Sequence, residues 1–140
     1  MNAALQTNEQ TTRFVDNGDG TVTDTRTGLM WSQNTLSTKC VDHATAVKTC
    51  AELDLAGHTD WRLATVEELF LLADRTKYRP AIDTGAFPDT KSDWYWTSTI
   101  HASGSSYAWI VNFSDGYAYD FRRDGSSAFV RAVRSVPAGQ

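Results

Sequence analysis

A chain of 140 residues, 41% of them hydrophobic, is long enough to bury one core without the help of metals or disulfides. Its net charge of -4 argues against a nucleic-acid binder or a protein adhering to anionic membranes, because both depend on a basic surface. No apolar run approaches the ~18 residues that a membrane-spanning helix needs, so no membrane insertion is expected.

The opening MNAALQTNEQTT has no apolar secretory core. Residues 1–12 are therefore expected to be a disordered leader or expression remnant, with one domain over 13–136. Arg13 to Val15 and Thr21 to Thr23 flank Asp16-Asn17-Gly18-Asp19-Gly20, the composition of a hairpin loop between two short strands. Asp16, Asn17, Asp19 and Asp24 form the densest oxygen cluster in the chain, of the kind calcium takes. They lack the alternating spacing and terminal Glu of an EF-hand loop, so the segment reads as a turn and no metal is assigned. A second turn, Thr25 to Gly28, leads into Leu29-Met30-Trp31, a buried strand.

From Asp42 to Leu53 the period changes. Ala44, Val47, Cys50, Ala51 and Leu53 fall at helical spacing, which predicts a helix with that apolar stripe and with His43 on its solvated face. Thr65-Val66-Glu67-Glu68 is a capping box, in which the Thr hydroxyl and the second Glu each satisfy a free backbone donor. It predicts a second helix over Val66 to Arg75 that buries Leu69, Leu72 and Ala73. Tyr78 to Ser92 then reads as an irregular, Pro-containing connection. Had Cys40 and Cys50 shared one helix, a rise of ~1.5 Å per residue would hold them ~15 Å apart, beyond disulfide reach. Two free thiols are favoured over a bridge.

Trp94 to Arg134 holds ten of the sixteen aromatic residues and reads as short strands joined by turns at Ser114 to Gly116 and Arg123 to Ser126, with Phe129 to Arg134 as the last strand. Alternation puts Trp109, Val111 and Phe113 on one face, and Tyr117, Tyr119 and Phe121 together on a face of the return strand. The whole is expected to be an antiparallel meander buried on one side. Trp61, Trp96, Trp109, Val111 and Phe113 are assigned to the core. Tyr95, His101 and Tyr107 border the small polar loop from His101 to Ser106, a chemistry suited to adaptable recognition. The candidate ligand-binding set is Tyr95, His101, Tyr107, Asn112, Tyr117, Tyr119, Asp120, Arg122 and Arg123. The adjacent arginines suggest a carboxylate or sulfate, whose two oxygens match a planar guanidinium.

Catalysis has little support in these residues. The three histidines, His43, His58 and His101, stand in no recognisable nucleophile–base context, and Glu67 and Glu68 are neighbours on a helix and so point apart. No enzyme and no cofactor are expected.

Asp16 to Trp31, Gly57 to Leu69, Tyr95 to Ser98, Ala108 to Phe113 and Val130 to Arg134 together resemble the DUF1566 family, which includes the C-terminal domain of the Legionella collagen-like adhesin. The resemblance spans Phe14 to Arg134 and implies an α+β, C-type-lectin-like fold. In it two helices pack on twisted antiparallel strands with long loops, related in appearance to formylglycine-generating enzymes. It further implies an extracellular or cell-surface module that binds a glycan, acidic or sulfated, or a protein receptor, with a trimer as its homo-oligomer. Two alternatives come with it: a surface diversified by a retroelement, and a formylglycine-generating-enzyme-like enzyme. Relatives typically carry Pro at the place of Ala64 and often Cys at that of Ala132, which implies that Cys50 has lost a partner.

Overall fold

The computed structural model describes residues 13–136, so the leader expected over 1–12 lies outside the described residues. Three short strands, β1 (Phe14–Asp16), β2 (Thr21–Asp24) and β3 (Leu29–Ser32), form consecutive antiparallel hairpins. The first loop is organised by its own carboxylates. Asp16 accepts from the Gly18 amide, Asp19 from both the amide and hydroxyl of Thr21, and Asn17 N–H donates to Thr21 O. The turn reading is therefore what the chain adopts.

The helix α1 (His43–Ala51) begins at Asp42, whose side chain caps the Thr45 amide. It is shorter than expected, and its buried stripe is His43, Ala46 and Cys50, whereas Ala44, Val47 and Ala51 are exposed. His43 is thus not on a solvated face. Its ring can be buried because both nitrogens find partners, Thr97 O at 2.8 Å from Nε2 and the Arg123 Nε–H at 3.2 Å from Nδ1. After β4 (Arg62–Leu63), the helix α2 (Val66–Leu72) starts on the complete capping box, with both reciprocal bonds formed. It stops three residues before Arg75, because the Asp74 amide turns to Ala81 O while the Asp74 carboxylate captures Thr76.

The aromatic segment folds as β5 (Trp94–Ile100), β6 (Tyr107–Asn112) and β7 (Tyr117–Arg122), a three-stranded antiparallel sheet in the order β5-β6-β7. Two expectations fail here. The last strand, β8 (Ala132–Ser135), does not extend this meander but inserts between β3 and β4, giving a five-stranded sheet β1-β2-β3-β8-β4. Nor is the meander buried on one side only. Tyr95, Val111 and Phe113 enter a core with Val22, Trp31, Leu69, Leu72 and Phe87, while Trp96, Ala108 and Ile110 enter a second with Ala46, Cys50, Trp61, Leu63 and Ala132. β5 and β6 are sandwiched, whereas no residue of β7 is buried and only Ala118 and Phe121, on opposite faces, are partly covered.

The irregular segment contributes more to this packing than its sequence suggests, since Ala81, Ile82 and Phe87 are fully buried. Buried Arg131 ties it down, donating to Ser32 O, Gln33 O and the Thr90 hydroxyl, with its guanidinium 4.8 Å from the Phe87 ring centre. Burial pushes that guanidinium below its ordinary pKa. The architecture is α+β, two helices with two antiparallel sheets.

Candidate functional site

Strand register divides the candidate residues between two faces. Trp94 stands opposite Asn112 and Asn112 opposite Tyr117, while Trp96, Ile110 and Tyr119 form the next row and Ala108 with Phe121 the one after. This face buries its middle and exposes its end. Trp94 is 38% exposed, Tyr117 54% and Tyr119 45%. Trp94 and Phe121 meet edge to face at 4.4 Å, and with Asn112, Tyr119 and Asp120 they line an open cleft of about 410 Å³.

The β6–β7 turn fixes the rings of that cleft. Asp115 accepts from the Tyr117 amide and from the Tyr119 hydroxyl, each at 3.0 Å, and the latter bond pushes the Tyr119 phenol up. Gly116 is required at the turn, with φ at +86° and the Arg75 side chain 2.7 Å from where a Cβ would stand. Arg75 also donates to Gly116 O at 2.6 Å, anchoring the turn to the end of α2. Asn112 Oδ1 accepts from the Ser114 amide, so that oxygen is taken up by the turn and the NH₂ group of this candidate residue is left for the cleft.

On the opposite face, His101 stacks on Trp109 at 5.1 Å with planes 18° apart. Trp109 is accordingly half-buried rather than a core residue. Tyr107 and Arg122 are register partners, the guanidinium lying 5.8 Å from the ring centre and 3.4 Å from Asp124. Arg123 turns the other way, to His43 and to Ser105 O, beside a second cavity of about 370 Å³ lined by Asp42, Ala44, Ser105, Ser106 and Asp124. The two arginines therefore do not act as one cationic fork, because successive residues on an extended strand face opposite ways.

Tyr95 leaves the candidate set. It is fully buried, its hydroxyl 2.6 Å from the Thr35 hydroxyl and accepting from the Lys91 amide, with its ring against Phe113. The signal for this is its place beside Trp96, since two adjacent large rings within one strand imply burial on both faces. Sequence reasoning left Trp94, Asp115 and Phe121 out of the set: strand register brings Trp94 to Phe121, which shares the face of Tyr119, and Asp115 lies in the turn four residues before Tyr119.

One arrangement has the order of a catalytic relay. Ser103 Oγ lies 2.8 Å from His101 Nδ1, and His101 Nε2 lies 3.5 Å from Asp120. Nδ1 also accepts from the Ser103 amide at 3.1 Å, as a residue two places on in a tight turn does, and Asp120 makes no hydrogen bond to the ring. This is a turn contact that braces the loop. The thiols are not poised for nucleophilic chemistry either. Burial pushes Cys50 up to about 12, and Cys40 is raised by burial and by Asp93.

Among the described residues no helix is long and apolar enough to cross a membrane. No curated protein matches the chain. The family model of the Lcl C-terminal domain matches residues 20–134, from the first hairpin through β8. The chain belongs to this family, the DUF1566 family of the Legionella collagen-like protein's C-terminal domain.

Proposed function

We propose that this chain is a non-enzymatic ligand-binding module of a surface adhesin, with a C-type-lectin-like arrangement, and that it meets a glycan in the cleft between Trp94 and Tyr119. The observation that carries this reading is the exposed ring set of Trp94, Tyr117 and Tyr119, the two tyrosines braced by the turn, beside the Asn112 NH₂ group. Aromatic faces cover the apolar side of a sugar at little entropic cost, and amide and carboxylate groups fix its hydroxyls. The family supports a surface-binding role, and the extracellular or cell-surface placement is part of the proposal.

A second reading, an acidic or sulfated glycan, draws on Arg122, which is half-exposed and lies against Tyr107 and the exposed Asp124. Arg123 contributes less to it, since its guanidinium is already bonded within the protein.

A glycan array followed by titration of the bound sugar separates the readings. Tyr119→Ala and Trp94→Ala should each weaken a neutral saccharide about tenfold or more, as loss of a stacked ring does. Arg122→Ala should weaken a sulfated one and leave the neutral one unchanged. Binding should survive EDTA. A blank array with capture of a protein receptor points to the diversified-surface alternative, and turnover of an ester or thiol substrate would overturn the non-enzymatic reading.

A further inference from the structure

His43 is only 2% exposed, and its buried ring faces a cation. An arginine Nε–H can only donate, so Nδ1 of His43, 3.2 Å from Arg123 Nε, is the bare nitrogen of the ring. The proton of the neutral imidazole is then on Nε2, which donates to Thr97 O at 2.8 Å. This arrangement fixes one tautomer and is intolerant of a second proton. A proton on Nδ1 would set two donors and two positive charges against each other at a buried site, with no acceptor between them. The ring is held from its other side, bonded to Thr97 O and packed edge to face on Trp96 at 5.0 Å. Among the described residues, the charged groups that act on it are Arg123 and, at the start of its own helix, Asp42, while β5 presents the Thr97 carbonyl and the Trp96 ring.

The Arg123 side chain, by contrast, has space to leave. Its backbone is fixed on both sides, because its amide donates to Ser106 O and its carbonyl accepts from the His43 amide, and neither bond involves the guanidinium. Beside that guanidinium lies the open cavity of about 370 Å³, bordered by the carboxylates of Asp42 and Asp124. Rotation of the side chain alone carries the charge there. A clasp is lost when it goes. Arg123 Nη1 donates to Ser105 O at 2.9 Å, and among the described residues the loop tip at Ser105 and Ser106 is otherwise bonded through the Arg123 amide alone.

We infer that His43 and Arg123 form an acid-operated latch, in which a proton on His43 Nδ1 expels the Arg123 guanidinium into the cavity beside Asp42 and Asp124 and unclasps the loop from His101 to Ser106. Burial and the Arg123 charge both hold the imidazole below its ordinary value of 6.5, so the latch is closed at neutral pH and opens in acid. The loop carries His101, stacked on Trp109, and leads into Tyr107, the register partner of Arg122, so the latch governs the face that bears that arginine. The Trp94–Tyr119 cleft is on the other face, and the latch does not depend on what it binds.

The test is nuclear magnetic resonance of the ligand-free protein from about pH 8 to about pH 5, following the His43 ring nitrogens, the Arg123 Nε–H and the amides of Ser103 to Ser106, with circular dichroism alongside. In the parent, His43 Nδ1 should titrate below 6.5. At the same midpoint the Arg123 Nε–H signal should be lost to solvent exchange and the loop amides should lose protection, with the circular dichroism unchanged. His43→Gln, whose amide can donate to Thr97 and accept from Arg123 but takes no proton, should keep the Arg123 signal throughout. Arg123→Met should leave the loop amides unprotected at every pH and move the His43 midpoint upward, because the charge opposing its protonation is gone. Four outcomes would each overturn the inference: a His43 that takes no proton over this range or takes one while the Arg123 signal persists, the same losses in His43→Gln, unfolding at the His43 midpoint, and no upward shift in Arg123→Met. The second of these would place the origin in another group of the loop, such as His101. No ligand is present in these measurements, so their outcome is separate from that of the glycan titrations.

Discussion

Arg13, Arg62 and Arg134 each clasp a carboxylate of the five-stranded sheet or its surroundings at two points, Asp24, Glu68 and Asp60 respectively, at 2.6 to 3.1 Å. In the three-stranded sheet, Arg122 lies loosely against Tyr107 and Asp124, and Arg123 reaches a neutral histidine and a carbonyl. The first sheet consists of strands of two to four residues, and these planar clasps lock segments that backbone pairing alone holds weakly. The second has longer strands, two of them, β5 and β6, buried on both faces, and no such clasp is formed among its described residues. Its charges stay available at the surface. The two-point ion clasps thus belong to the five-stranded sheet, although both sheets contribute to the same two cores.

The contrast can be broken most severely within β5. Trp96→Ala, which empties a fully buried site and removes an indole bonded to Val41 O, should cost about 3–5 kcal/mol in denaturant unfolding. Trp94→Ala, two residues away, should cost no more than about 1 kcal/mol while weakening cleft binding about tenfold or more. Equal losses would mean that Trp94 is structural and that the cleft is not a separate surface. Gly116→Ala comes next, at about 2 kcal/mol, because the new Cβ meets Arg75 and the residue must hold a positive φ. Its thermal melt should fall while the secondary structure of the parent is kept.

The smallest effect is a dependence on pH that sharpens the comparison. His43 is held below its ordinary value of 6.5 by burial, with the Thr97 carbonyl opposing and the Arg123 charge adding to the shift. A depressed folded pKa means that the unfolded chain binds the proton first. Stability is thus fully present above 6.5 and is lost as pH falls from there through the folded value. Asp42 beside it titrates lower, held down by its bonds to Thr45. His43→Gln should flatten the slope of melting temperature against pH as pH falls below 6.5. A slope equal to the parent's would place its origin in other groups.

Features whose causes are local were legible in the sequence. The Asp16–Gly20 turn, the Thr65 capping box and the shared face of Tyr117, Tyr119 and Phe121 each depend on residues within a few positions, and each formed as read. Contributions from distant residues were not legible. The stripe of α1 was misphased because a histidine can replace an aliphatic residue when Thr97 and Arg123, far along the chain, satisfy its ring. Tyr95 looked accessible because its hydroxyl partners, Thr35 and Lys91, lie in irregular segments without a pattern. Trp94 was overlooked as part of the site since its meeting with Phe121 depends on the register of three strands.

The place of β8 has a further consequence. Phe14 pairs with Asp24, Asp24 with Leu29 and Leu29 with Ser135, so four strands carry these residues in one row across the sheet. Three strand spacings separate the first from the last, about 15 Å. A polypeptide joined ahead of Phe14 and one joined behind Ser135 would leave the domain side by side from the same end. The domain is thereby built like a plug with two adjacent leads, able to sit within a loop of a host protein as readily as at the tip of a stalk.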